Sequence, residues 1–218
     1  MAVFVGLLLI SNVGATKLIQ FGPSFELGGF PLLPIITDGG ALLFPLTYVL
    51  GDVLAEVYGM RRARRAIVVG FAMSALMSLT FLAVSAAPPA DDWPNQEAWA
   101  TVLGFVPRIV VASLLAYLVG QLLNAWVLVR LKRRFGEGHL WVRLVTSSVV
   151  GQFVDTLIFC TVAFGPLGAF MGGGSIPLPQ LANYILVGFV YKVLVEIVLL
   201  PVTYQVIAAV KRREPDYG

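Results

Sequence analysis

Six stretches of this chain, residues 3–19, 39–58, 66–86, 107–129, 141–164 and 181–202, are apolar for long enough to act as membrane spans. One transmembrane helix takes about 20 mostly apolar residues. The 218 residues therefore hold these six spans and leave no soluble domain of useful size. Only 12% of the residues are charged, against about 25% in a typical soluble domain. The expected fold class is an all-α integral membrane protein, one transmembrane domain over 1–218 with six helices.

The connections between the runs alternate in character. One set of ends carries Arg61, Arg62, Arg64 and Arg65, then Arg130, Lys132, Arg133, Arg134 and Arg143, then Lys211, Arg212 and Arg213, twelve of the fifteen Lys and Arg residues. The other set holds Glu26, Asp38, Asp91, Asp92 and Glu97. Basic ends stay in the cytoplasm, so the expected topology places both termini inside, in a cell inner membrane. The basic residues read as topology signals beside a lipid bilayer, and no nucleic-acid partner is expected. The N-terminus is apolar from Met1 onward, so either the first helix begins at the membrane or a leader precedes this sequence.

The outer connections differ among themselves. Residues 20–38 hold three prolines and three glycines, which rules out a long helix and suggests a segment folded back over the outer face. Residues 87–98 are polar and end near Trp93 and Trp99, residues suited to the membrane interface. Gly172-Gly173-Gly174-Ser175 lacks the Gly-Lys-Ser/Thr ending of a phosphate-binding loop and reads as a flexible turn.

Against this apolar background, Asp52, Glu56, Arg108, Arg143, Asp155, Lys192 and Glu196 lie inside or at the edges of spans. A charge at membrane depth costs at least ~2.5–3.5 kcal/mol, so such groups face a bundle or a wet cavity. At about 1.5 Å per helical residue, Asp52 lies about 20 Å, Lys192 about 16–17 Å and Asp155 about 13–14 Å below the outer boundary. These three share a middle slab. They could form a permanent bridge that only fixes packing, or a ligand site; two acids against one lysine leave a surplus carboxylate, which favours the site.

Helical spacing groups further residues. Asp52 with Glu56, and Lys192 with Glu196, are i,i+4 pairs. Ser113, Tyr117, Gln121 and Asn124 form a polar stripe, Gln152 and Asp155 are i,i+3, and Asn12 places an amide in the first span. Amides and carboxylates together can read a planar hydrogen-bonding ligand; singly, each can also be interhelical glue. Glu56 is near enough to the inner boundary to pair with Arg61 or Arg62, and Arg108, following Pro107, could snorkel to the outer interface. Gly51, Gly120 and Gly151 each precede a polar residue inside a span, where glycine permits close helix approach. Enzyme chemistry finds little footing: the one histidine, His139, lies in a cytoplasmic loop, and buried Cys160 is a poor nucleophile. No enzyme activity, metal or cofactor is expected.

Several strings resemble a known family. Gly51-Asp52-Val53-Leu54-Ala55-Glu56-Val57-Tyr58-Gly59 with Ala63-Arg64-Arg65, Arg108 with Ala112-Ser113 and Ala116-Tyr117, Gly120-Gln121, Asp155-Thr156, Tyr191-Lys192 and Ser11-Asn12 are similar to the motifs of the queuosine precursor transporter family, also called vitamin-uptake-like. The resemblance covers nearly the whole chain, with its motifs in order. It implies a six-helix importer of 7-deazaguanines such as 7-cyano-7-deazaguanine and 7-aminomethyl-7-deazaguanine, with a fold similar to the substrate-binding subunits of energy-coupling-factor importers. Asn12, Asp52, Glu56, Arg108, Gln121, Asp155 and Lys192 are the candidate substrate-binding residues. Asp155 or Asp52 would accept the donor edge of the purine-like base, with Gln121 or Asn12 beside it. Three readings stay open: a secondary transporter or facilitator acting alone or as a homodimer; a binding subunit that needs a separate ATPase module, docked through Gly6, Gly14, Gly70, Ala72 and Ala75; and an intramembrane enzyme or scaffold.

Overall fold

The computed structural model describes residues 1–27, 30–135, 140–169 and 174–213. His139 and the run's Gly172 and Gly173 lie outside the described residues, as do the side chains of Asp52 and Arg143. The chain is mostly helical: α1 (Ala2–Gly14), β1 (Leu18–Leu27), β2 (Phe30–Asp38), a 3-10 turn (Gly39–Leu42), α2 (Phe44–Tyr58), α3 (Met60–Ala86), α4 (Gln96–Leu103), α5 (Val106–Phe135), α6 (Leu140–Ala163), α7 (Pro166–Ala169) and α8 (Leu178–Arg213). Each expected span contains a helix. Among the described residues, four helical stretches are long and apolar enough to cross a membrane: Arg61–Ala86, Gln96–Leu131, Thr146–Ala163 and Leu178–Arg213.

The helices in the first two expected stretches are shorter than their hydropathy suggests. The helix expected over 3–19 stops at Gly14, where Thr16 donates its hydroxyl back to the Val13 carbonyl at 2.7 Å and the chain turns into β1. The one expected from residue 39 begins with a 3-10 turn whose N-cap, Asp38, accepts the Ala41 N–H at 3.1 Å, so α2 proper starts at Phe44 with a proline in its first turn. The last span is longer than expected. α8 continues through Pro201 to Arg213, because basic residues past the apolar run are still good helix formers.

Leu18–Leu27 and Phe30–Asp38 pair as a two-stranded antiparallel ribbon where an irregular fold-back was expected. In a two-stranded ribbon each strand is an edge, so Pro23, Pro31 and Pro34 can be accommodated where a central strand would reject them. Gly22 takes φ +91°, a conformation cheap for glycine alone.

The chain condenses into two units. The first comprises Met1–Ile19, Thr37–Val110 and Leu194–Gly218. Here α1 lies against α3: a methyl on Gly70 would stand 2.8 Å from the Leu8 Cδ2, and Asn12 Nδ2 donates to Ser74 Oγ at 3.2 Å. Gly59, at φ +82°, is the single residue between α2 and α3. α4 packs on α3 through Trp99, whose ring meets Phe81 edge-on and whose Nε1 donates to Ser85 Oγ at 3.0 Å. Gly14 and Gly70, expected as docking faces, are thus occupied from within the chain, Gly14 by Gly39 and Gly70 by Leu8.

The second unit comprises Gln20–Ile36 and Val111–Val193. α6 is its central helix, flanked by α5 and α8. Phe153 of α6 meets Phe189 of α8 edge-on at 5.4 Å, and Phe164 meets Tyr184 at 5.2 Å. The ribbon is tied to α8 by the Ile36 N–H, which donates to Asn183 Oδ1 at 3.4 Å.

Polarity is arranged opposite to a water-soluble protein. Asn12, Ser74, Ser78, Arg108, Ser147, Thr156 and Asn183 are buried, while Val68, Leu76, Leu79, Leu122, Trp126, Leu186, Ile197 and Val198 are exposed. Large apolar surface of this extent requires an apolar partner, and the lipid bilayer supplies one.

Candidate functional site

Small residues bring the helices of the second unit together, and polar side chains occupy the ground beside them. A Cβ on Gly120 of α5 would lie 3.0 Å from the Asp155 Cβ and 3.1 Å from the Gly151 carbonyl oxygen. A Cβ on Gly151 of α6 would lie 2.9 Å from the Asn124 Cβ and 3.0 Å from the Gly120 carbonyl oxygen. The crossing is reciprocal: each glycine faces the other helix's backbone and the polar residue four positions after its counterpart. On the other side of α6, Gly188 of α8 sits against the Thr156 methyl, with 3.4 Å between Cγ2 and an added Cβ.

One turn beyond Gly188, Lys192 Nζ donates to Asp155 Oδ2 at 2.6 Å. The side chains are 13% and 25% exposed, so the pair is half-withdrawn from the surface while still reachable. Each charge lowers the burial cost of the other. An ionised carboxylate has about four lone-pair positions, and the bridge engages only one of its two oxygens, which leaves capacity for a second donor group.

The expected site residues separate on this framework. Asp155 and Lys192, matched in sequence only by estimated depth, meet directly. Gln121 is exposed, and the geometry explains why. At 3.6 residues per turn, Tyr117, Gly120 and Asn124 lie within about 40° of Ser113 around α5, whereas Gln121 lies about 80° away. The face turned to α6 runs through Gly120 and Asn124, so Asn124, over Gly151, is the amide one turn from Asp155. The glycine followed by a polar residue four positions on was the available signal.

The remaining candidates belong to the first unit. Asn12 is buried and bonded to Ser74, a packing contact between α1 and α3. Glu56 pairs with Lys211 at 2.9 Å, both well exposed, rather than with Arg61 or Arg62; 155 positions separate the two, so only the fold could reveal the partnership. Arg108 is 2% exposed and does not snorkel outward. Its guanidinium lies 5.2 Å from the Phe105 ring centre, a distance at which the ring quadrupole attracts a cation.

Comparison with known proteins settles the family. The family described as "Putative vitamin uptake transporter" matches residues 38–206. The chain belongs to this family. It is 34% identical over 168 residues to the "Probable queuosine precursor transporter" of Bacillus subtilis, covering 76% of this chain and 69% of that protein. It is 31% identical over 178 residues to the "Queuosine precursor transporter" of Escherichia coli, covering 81% and 75%. A further relative, the "Probable queuosine precursor transporter" of Haemophilus influenzae, is 27% identical over 175 residues, covering 80% and 70%. No solved structure gives a significant match. The family match spans Asp52, Glu56, Arg108, Gln121, Asp155 and Lys192 but begins after Asn12. Family membership and the apolar helices together make this a multi-pass membrane protein.

Proposed function

We propose that this vitamin-uptake-family transporter imports queuosine precursors, 7-deazaguanine bases such as 7-cyano-7-deazaguanine, across the inner membrane as a secondary transporter or facilitator. α1 and α2, with α3, α5, α6 and α8, would supply six spans, with both termini in the cytoplasm. The names of the relatives support the substrate, and the basic ends of the spans support the orientation.

The observation that carries the reading is the 2.6 Å Asp155–Lys192 pair on membrane helices. A guanine-like base presents two adjacent N–H donors beside a carbonyl. Asp155 can accept the donors, and Lys192 can donate to the carbonyl. The pair is neutral as a unit, which suits an uncharged base. A closed site would need no extra ion to balance it.

The test is restoration of queuosine in tRNA. Cells unable to make the precursor, given this chain and a low external precursor concentration, should regain queuosine; good membrane expression with no restoration overturns the assignment.

A further inference from the structure

Two oxygens within about one helical turn of Asp155 along α6 are buried with no hydrogen-bond partner among the described residues: Asn124 Oδ1, whose Cβ lies over Gly151, and Thr156 Oγ1. Thr156 is 2% exposed. A hydroxyl in a helix ordinarily relieves such burial by bonding the carbonyl four residues back. The hydroxyls of Ser74, Ser78, Thr80, Thr101 and Thr161 all do so, at 2.7 to 3.0 Å. Thr156 does not. Its methyl is seated against Gly188, so α8 fixes the rotamer and keeps the hydroxyl from an easy local bond.

Asn124 is held in a similar way. Its Cβ lies over Gly151, with 2.9 Å to the position of an added Cβ, and Gly151 is one turn before Asp155. Asn124, Asp155, Thr156 and Lys192 therefore gather around about one turn of α6, roughly 5.4 Å of its length. Buried acceptors without partners are rare in native proteins and unfavourable for stability, and two within about a turn of an ion pair call for a ligand that supplies donors.

We infer that Asn124 Oδ1 and Thr156 Oγ1 are further recognition groups of the transport site, accepting N–H donors of the base that Asp155 alone does not satisfy. This rests on the proposed transport reading and assigns specificity within it. The site selects planar bases rich in N–H donors over bases presenting acceptors at the same edges. Thr156 and Asn124 hold those donors, while Lys192 takes the carbonyl.

The test measures the dissociation constant for 7-cyano-7-deazaguanine and the melting temperature of the purified protein in lipid nanodiscs. Thr156→Val and Asn124→Leu keep shape and remove the acceptor; each should weaken binding about three- to tenfold with no fall in melting temperature. Thr161→Val, whose hydroxyl is already bonded within α6, is the control and should bind like wild type. Wild-type affinity in both Thr156→Val and Asn124→Leu overturns the inference while leaving the transport reading intact. Absence of binding by wild type overturns the transport reading, and this inference with it.

Discussion

Replacing Gly151 with alanine tests whether the α5–α6 crossing holds the site in register. The added methyl would lie 2.9 Å from the Asn124 Cβ and 3.0 Å from the Gly120 carbonyl oxygen. Carbon atoms rest at about 3.5–4.0 Å, so the helices must part by about 0.6 Å at the least. The Gly120 oxygen is backbone and has no rotamer to escape into. Overpacking of this kind costs about 1–3 kcal/mol. The displacement falls one turn from Asp155, whose bond to Lys192 is 2.6 Å. A shift of that size moves the Asp155 carboxylate off the position it holds between α5 and Lys192, and a charge-assisted contact tolerates little departure from its short optimum of ~2.7–2.9 Å. Initial uptake of labelled precursor into proteoliposomes should fall at least tenfold, with a lowered melting temperature. Gly6→Ala, where an added Cβ meets nothing within 4 Å, should change neither. Wild-type uptake and stability in Gly151→Ala would refute the reasoning.

Other substitutions report on the first unit. Asn12→Leu removes the donor to Ser74 and should cost about 1 kcal/mol of stability, read by thermal unfolding, with precursor affinity unchanged. Glu56→Gln breaks an exposed bridge to Lys211; such pairs contribute at most about 1 kcal/mol, so the melting temperature should hold, and a large drop would show the pair to be structural. Gly59→Ala places a methyl at φ +82°, ψ 157°, a region essentially reserved for glycine, and should destabilise the α2–α3 turn by about 1–3 kcal/mol, seen as a lower melting temperature.

Much of the helical layout was legible in hydropathy because apolar runs and basic ends are set by the bilayer itself. α6 falls within a residue of its expected bounds at either end. Where the run and the helix are governed by different forces, sequence and fold diverge. α8 outlasts its apolar stretch, and α1 ends at Gly14, where the chain turns with Thr16 bonded back to the Val13 carbonyl. The ribbon was hidden by its prolines, which signal irregular chain but are tolerated on edges.

At the site, Asp155 and Lys192 could be matched because depth along a helix is countable from sequence. Rotation about the helix was less well constrained. A polar stripe with both Gln121 and Asn124 points in two directions, and only the contact between Gly120 and Gly151 decides which side chain faces α6. The Glu56–Lys211 and Asn12–Ser74 partnerships join distant segments, and no periodicity encodes them.

The central claim is that the Asp155–Lys192 pair recognises substrate instead of only fixing the packing of α6 on α8. The most direct measurement compares uptake and melting temperature for Asp155→Asn, Lys192→Gln and the double variant in proteoliposomes. Each single change strands a partly buried charge and should lower both stability and uptake. The double variant removes the stranded charge, so stability should recover in a non-additive way while uptake stays lost. Recovery of uptake together with stability in the double variant would contradict the claim and leave the pair as a packing bridge.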